Sequence, residues 1–339
     1  MPYGHAGRLG FGLSLVLVAL FFTSTASLQQ RSDSLLTRLA PASSAAPTDG
    51  DGSDDDQVSV TTRLISFNVT VTDKSGQHIA GLPQSAFTIF DEKRPQEISF
   101  FGEDDSPISV GIIFDLTGSM TEGKVRRARE ALARFMETSH DDDEYYLITL
   151  QNGEAYLSLD RTRDHQAVLD KITHATPHGT TALYDGCYLG LQKVMGGTRS
   201  RRALLLISDG QDNNSRHKLD EVRQMFRESD CVAYSIGVVE TSHDDLTQNG
   251  EEALTDIAKM TGGKFFQPKT AAEMYRDFER IALELRHQYA IGYRPSSFET
   301  DGKWHRLKVK IDQPTGSPRL FIRYRNGYYA SEKPRSSEP

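Results

Sequence analysis

Apolar positions recur along this chain in three successive regimes. The first is strictly alternating: Ile65, Phe67, Val69 and Val71 interleave with Ser66, Asn68, Thr70 and Thr72, the period of a strand with one buried face. Asp73-Lys74-Ser75-Gly76 then reads as a turn, and Phe87 and Ile89 are expected to pair with Ile98 and Phe100 across residues 91–95. The second regime, from Ile108 to His287, alternates apolar strands with amphipathic helices. Its first strand, S-V-G-I-I-F-D, is Val/Ile-rich with no polar alternation, the mark of a strand covered on both faces. A helix from about Gly123 to Thr138 follows, with Val125, Ala128, Leu132, Phe135 and Met136 on one side. Asn152-Gly153 between residues 145–150 and 155–159 signals a tight hairpin. Further helices are expected around Ala167, over 183–195, near 219–227, and over 253–260 and 271–286, with strands at 203–208, 232–239 and 264–266. The third regime, 288–329, returns to alternation, with Leu307, Val309 and Ile311 set against Lys308 and Lys310. Leu320, Ile322 and Tyr324 likewise alternate with Phe321, Arg323 and Arg325, and these cations are expected on the solvated side of a half-buried sheet.

The pattern predicts an α/β fold, a doubly wound, mostly parallel sheet over residues 106–287. Small β segments flank it at 58–105 and 288–330, placed so that they can pack together as one sandwich. Such small sheets need a partner surface to be stable.

The ends add a location. His5 and Arg8 precede an apolar run from Phe11 to Phe22, and Ser24, Thr25, Ala26 and Ser27 follow it, which reads as a cleavable export signal over 1–27. The run is short for a membrane span. Residues 28–57, rich in Ser, Ala, Pro and Asp, read as a flexible linker, and 331–339 as a disordered tail. The mature protein is expected to be periplasmic or secreted, with no membrane span once the signal is removed. In such a compartment Cys187 and Cys231 could pair. The topology instead puts one near the carboxyl end of the sheet and the other at the start of a strand, so both are expected to be free and buried.

Composition changes little in this picture. Of 339 residues, 37% are hydrophobic and 25% charged, an ordinary globular balance. The net charge of −8 and the absence of a basic domain over the first 280 residues argue against a nucleic-acid partner.

The candidate chemistry sits where the first buried strand stops. Asp115 ends it, and Thr117 and Ser119 follow around Gly118, a turn expected to aim both hydroxyls at the carboxylate. A second carboxylate, Asp209, ends the strand expected beside it, and Gly179-Thr180-Thr181 precedes the 183–195 helix. Ligands in open α/β sheets bind at these carboxyl ends. Oxygen donors without Cys or His suit a hard cation, Mg2+ first, with Mn2+ or Ca2+ as alternatives. His174 and His178 fall in the Thr181 loop and read as solvated, while Asp185 and Asp212 read as cap and turn residues. Asp244 and Asp245 are placed at the border of the binding face. Asn68-Val69-Thr70 and Asn213-Asn214-Ser215 fit the N-glycosylation pattern.

Taken together, D-L-T-G-S, G-T-T-A-L-Y-D-G and L-L-L-I-S-D-G resemble the metal-ion-dependent adhesion site of the von Willebrand factor A-type domain, over about residues 108–287. F-T-I-F-D-E-K-R-P-Q-E-I-S-F-F, T-G-G-K-F-F and Q-Y-A-I-G-Y-R-P are similar to segments of a bacterial exported subfamily related to it. The resemblance implies that Ser119, Thr117 and Thr181 ligate the metal and that Asp115 and Asp209 hold its waters, with Thr117 standing where that family usually has Ser. Spacing to Leu183 favours Thr181 over Thr180 as the ligand, and the resemblance implies a protein partner that presents an Asp or Glu carboxylate. No His or Glu is placed as a general base, so the expectation is a docking site and not an enzyme. Two alternatives remain at this stage: a scaffold domain that uses no metal, and a haloacid-dehalogenase-like Mg2+-dependent phosphohydrolase with Asp115 as nucleophile.

Overall fold

The computed structural model describes residues 64–238, 245–295, 302–313 and 319–330. The expected export signal, linker and tail and Asp244 lie outside the described residues, and of Asp245 only its place at the start of a helix is described.

The eight residues of Ile108–Asp115 (β5) are all buried, which puts this strand at the centre of its sheet. It pairs in parallel with Glu144–Gln151 (β6) on one side and Arg201–Ser208 (β8) on the other. Cys231–Gly237 (β9) and Phe265–Phe266 (β10) extend the sheet beyond β8, and Glu154–Thr162 (β7) closes the other edge antiparallel to β6. The β6–β7 turn is Asn152-Gly153 with φ of 50° and 74°, the two-residue mirror-image turn that this dipeptide favours.

Helices cover both faces. Glu122–Thr138 (α1), His165–Thr173 (α2) and Ala271–Arg286 (α6) pack on the side reached by Ile108, Val110, Ile112 and Phe114. Leu183–Met195 (α3), Leu219–Glu228 (α4) and Asp245–Thr261 (α5) pack on the side reached by Ile113. An uninterrupted apolar strand is the sequence of a backbone buried on both sides, so the doubly wound layering follows from it.

The two flanking β segments form one sandwich. Ile65–Thr72 (β1), Ile98–Asp104 (β4), Gln288–Tyr293 (β11) and Phe321–Tyr324 (β13) make a sheet of order β13-β1-β11-β4. Phe87–Asp91 (β2), Arg94–Gln96 (β3), Trp304–Ile311 (β12) and Gly327–Tyr329 (β14) make the other, β14-β12-β2-β3. Phe67, Val69, Ile291 and Tyr293 from the first sheet share a core with Ile89, Leu307, Val309 and Tyr328 from the second.

Two expectations within the sandwich are corrected. Phe87 and Ile89 do not pair with Ile98 and Phe100. The chain turns at Glu92-Lys93, both left-handed at φ 45° and 70°, so β2 pairs with β3, and β4 crosses to the opposite sheet beside β11. Nor are all the β13-region cations solvated. Arg323 is drawn to Glu284 on α6 at 2.5 Å, and Arg325 to Asp230, because both face the α/β domain. Cys187 and Cys231 are free and buried, and burial pushes both thiols up from their ordinary range.

Candidate functional site

The parallel register sets Phe114 beside Ile207, so Asp115 and Ser208 end neighbouring strands at one level. Ser208 Oγ donates to Asp115 Oδ2 at 2.6 Å. The other carboxylate oxygen accepts from Thr117 N at 3.0 Å and Thr117 Oγ1 at 2.6 Å. Thr181 Oγ1, from the loop before α3, donates to Thr117 Oγ1 at 2.8 Å, and Ser119 Oγ lies 3.4 Å from that same oxygen. Asp115 and Thr117 are 0% exposed, Thr181 is 2% and Asp209 4%, while Ser119 is only partly buried. Thr180 is exposed, so the loop turns Thr181 rather than Thr180 toward Asp115.

The loops are held together by main-chain bonds. Gly118 N donates to Gly179 O and His178 N to Leu116 O, each at 3.0 Å, and Gly153 N donates to Thr180 O at 2.7 Å. Gly118 is not left-handed. Its role is proximity, since a Cβ there would stand 3.3 Å from Gly179 O. Gly210, at φ 86°, turns the chain after Asp209 against the backbone of Gly250, where no side chain fits on either residue. Thr121 caps α1, its hydroxyl accepting from Lys124 N at 3.4 Å, and Lys124 Nζ donates to Ser119 O at 3.0 Å.

Burial pushes the Asp115 carboxyl up to about 6. The bonds from Ser208 and Thr117 oppose that shift, and the charge of neighbouring Asp209 adds to it. Among the described residues no Lys or Arg side chain pairs with Asp115 or Asp209. Two adjacent buried carboxylates without a countercharge form a local deficit of positive charge. The donors are all oxygen, which fits a hard divalent cation. No cluster of three or more His, Cys, Asp or Glu side chains placed for a metal occurs among the described residues, so a cation here would rest chiefly on hydroxyls.

The neighbouring polar residues are mostly engaged in shaping loops. Asp212 Oδ2 accepts from Tyr184 N at 3.0 Å, and Asp185 accepts from His217 N at 3.0 Å and pairs with His217 Nδ1 at 2.6 Å. Burial works against ionised Asp185, but the bonds from His217 and Arg216 outweigh it and hold the carboxyl below its ordinary range. His174 ends α2, exposed, and exposed His178 lies 3.0 Å from Asn152 Nδ2. Sequence reasoning missed Ser208, Lys124 and the bonding role of Asn213-Asn214. Only Ser208 left a signal, as the hydroxyl immediately before Asp209 at a strand end.

These features define a doubly wound α/β domain that gathers two carboxylates and several hydroxyls at the carboxyl ends of its central strands. The sequence model of the von Willebrand factor type A domain matches residues 109–279, half of the chain, and the chain belongs to that family. Among solved structures it is similar to an aerotolerance-related membrane protein from Bacteroides fragilis, at 18% identity over 52% of this chain and 98% of that one, with a TM-score of 0.41. It is also similar to the von Willebrand domain of a type V pili tip protein from Porphyromonas gingivalis, at 14% identity over 52% and 94% of the two chains, TM-score 0.43. A von Willebrand factor type A structure from Catenulispora acidiphila matches at 12% identity over 82% and 76%, TM-score 0.44. A search of curated proteins gives no match.

Proposed function

We propose that this chain is an exported, metal-dependent protein-binding module that docks an acidic group of a partner on a divalent cation, Mg2+ first, held at the carboxyl ends of β5 and β8. Ser119, Thr117 and Thr181 would ligate the ion, and Asp115 and Asp209 would hold its waters. Bound there, the cation would supply an electrophilic position for a partner's Asp or Glu carboxylate, because neutral hydroxyls quench its charge only weakly.

The observation that carries this reading is the 2.8 Å approach of Thr181 Oγ1 to Thr117 Oγ1, from loops 64 residues apart, directly over a buried Asp115. The phosphohydrolase alternative asks Asp115 to attack a phosphorus atom. Its carboxylate is 0% exposed with hydrogen bonds on both oxygens, an arrangement for positioning rather than for attack. Export is supported by the N-terminal pattern of the sequence. No helix among the described residues is long and apolar enough to cross a membrane.

The test is capture of partners from the host's exported fraction on immobilised protein, with Mg2+ against chelator. Capture is expected in Mg2+ only, and Asp115→Ala and Ser119→Ala are expected to abolish it without unfolding the domain. Equal capture in chelator contradicts the reading.

A further inference from the structure

Thr181 brings its hydroxyl to Thr117 from a loop that has little regular structure of its own, and the question is what fixes its main chain. Asn213 Oδ1 accepts from Thr181 N at 2.9 Å, and Asn213 N donates back to Thr181 O at 3.1 Å. The next residue continues the grip: Asn214 N donates to the same Thr181 O at 3.0 Å, and Asn214 Nδ2 donates to Gly153 O at 2.8 Å. Gly153 N in turn donates to Thr180 O at 2.7 Å. Two consecutive asparagines on the loop after Asp209 therefore hold both polar groups of the Thr181 peptide and tie the β6–β7 turn to the same loop.

We infer that Asn213 is a positioning residue for the cation site, setting the Thr181 hydroxyl through the Thr181 peptide, with Asn214 locking the β6–β7 turn against it. The inference rests on the cation reading above. Asn213 itself is exposed, and its side chain contributes no atom to the Asp115–Thr117–Thr181 contacts. Only its amide oxygen is needed. An acceptor at that point satisfies the Thr181 N–H, for which no other acceptor is found among the described residues. Outer partners of this kind govern how steeply a site holds its metal, because they remove freedom from a ligand that already sits near its working place.

The experiment compares full-length protein with Asn213→Ala and Asn213→Asp by calorimetric titration with Mg2+. Thermal unfolding in chelator serves as the control for fold. Asn213→Ala is expected to bind Mg2+ roughly tenfold to a hundredfold more weakly, the range typical of such outer partners, with an unchanged chelator midpoint. Asn213→Asp keeps the acceptor and is expected to restore affinity. In chelator, hydrogen exchange should show the Thr181 amide protected in the wild type and in Asn213→Asp, and unprotected in Asn213→Ala. Wild-type affinity in Asn213→Ala overturns the inference alone, as does a loss of affinity in Asn213→Asp equal to that in Asn213→Ala. A wild type that gives no heat with Mg2+ overturns the cation reading and this inference with it.

Discussion

At the scale of single residues, His78 is the position where protonation should be felt by the fold. Both of its ring nitrogens are buried without a hydrogen-bond partner, and the ring stacks on His287 at 5.5 Å. Burial lowers its proton affinity from the ordinary 6.5, and the charge of His287 adds to this, while Glu103 and Glu284 oppose it. The Tyr289 ring lies 6.1 Å from it. Below 6.5 the unfolded chain takes up this proton more readily than the folded one, so stability is present above that pH and is lost as pH falls through it. Urea midpoints measured from pH 7.5 to 5 should fall in the wild type and fall less in His78→Phe; equal slopes would remove His78 from the account. The same scale shows what was readable in advance. Asp115 and Asp209 stood out because a carboxylate at the end of a buried strand has no packing reason to be there, and Thr117, Ser119 and Thr181 because their hydroxyls, in the loops beside those strand ends, complete the motifs of the resemblance. Asn213 was invisible, since its partners are main-chain groups of a loop 32 positions away, and Ser208 showed only its place before Asp209, since its partner lies 93 positions away and only the folded register brings it near.

At the scale of elements, the regions with strong period stood where expected. The β5 run, the α1 stripe and the Asn152-Gly153 turn each carry a local signal that tertiary packing only reinforces. The turn at Glu92-Lys93 was missed because neither residue is a usual left-handed former, yet both adopt positive φ. Glu92 compensates, with Oε1 accepting from Arg306 N at 2.6 Å and its own N donating to Arg306 O at 3.1 Å. Lys93 has φ 70° and no such bonds among the described residues. Lys93→Gly should therefore raise stability by about 1 kcal/mol by relieving the left-handed penalty, read as a higher urea midpoint at unchanged slope. A lower midpoint would mean that the lysine side chain holds the turn after all.

At the scale of the whole molecule, the junction between the sandwich and the α/β domain is built around a buried charge. Glu284 of α6 is 1% exposed and receives Arg280 Nε at 3.1 Å and Arg323 Nη2 of β13 at 2.5 Å. Gln288 at the start of β11 accepts from Arg201 Nη2 of β8 at 3.0 Å and donates to Thr70 Oγ1 of β1 at 3.1 Å. Arg286 meets both oxygens of Asp105 at 3.1 Å. The sandwich was legible as a possibility from two β segments that each lack a core. The charged junction was not, because alternation assigns Arg323 to solvent and only the position of α6 claims it. Replacing Glu284 by Gln leaves two arginines without their countercharge and should lower stability by about 3 kcal/mol, the low end for a broken buried pair. A single cooperative unfolding transition is expected in both proteins. Two separated transitions in the wild type would show that the junction does not couple the two parts.

The central claim is that the oxygens around Asp115 hold a divalent cation, and calorimetric titration of the chelated full-length protein with Mg2+ tests it most directly. The account predicts a one-site heat and a raised thermal midpoint in the wild type, both lost in Asp115→Ala and in Thr181→Ala. No heat and no thermal stabilisation, with Mg2+ or with Mn2+, would contradict it and leave the domain a scaffold.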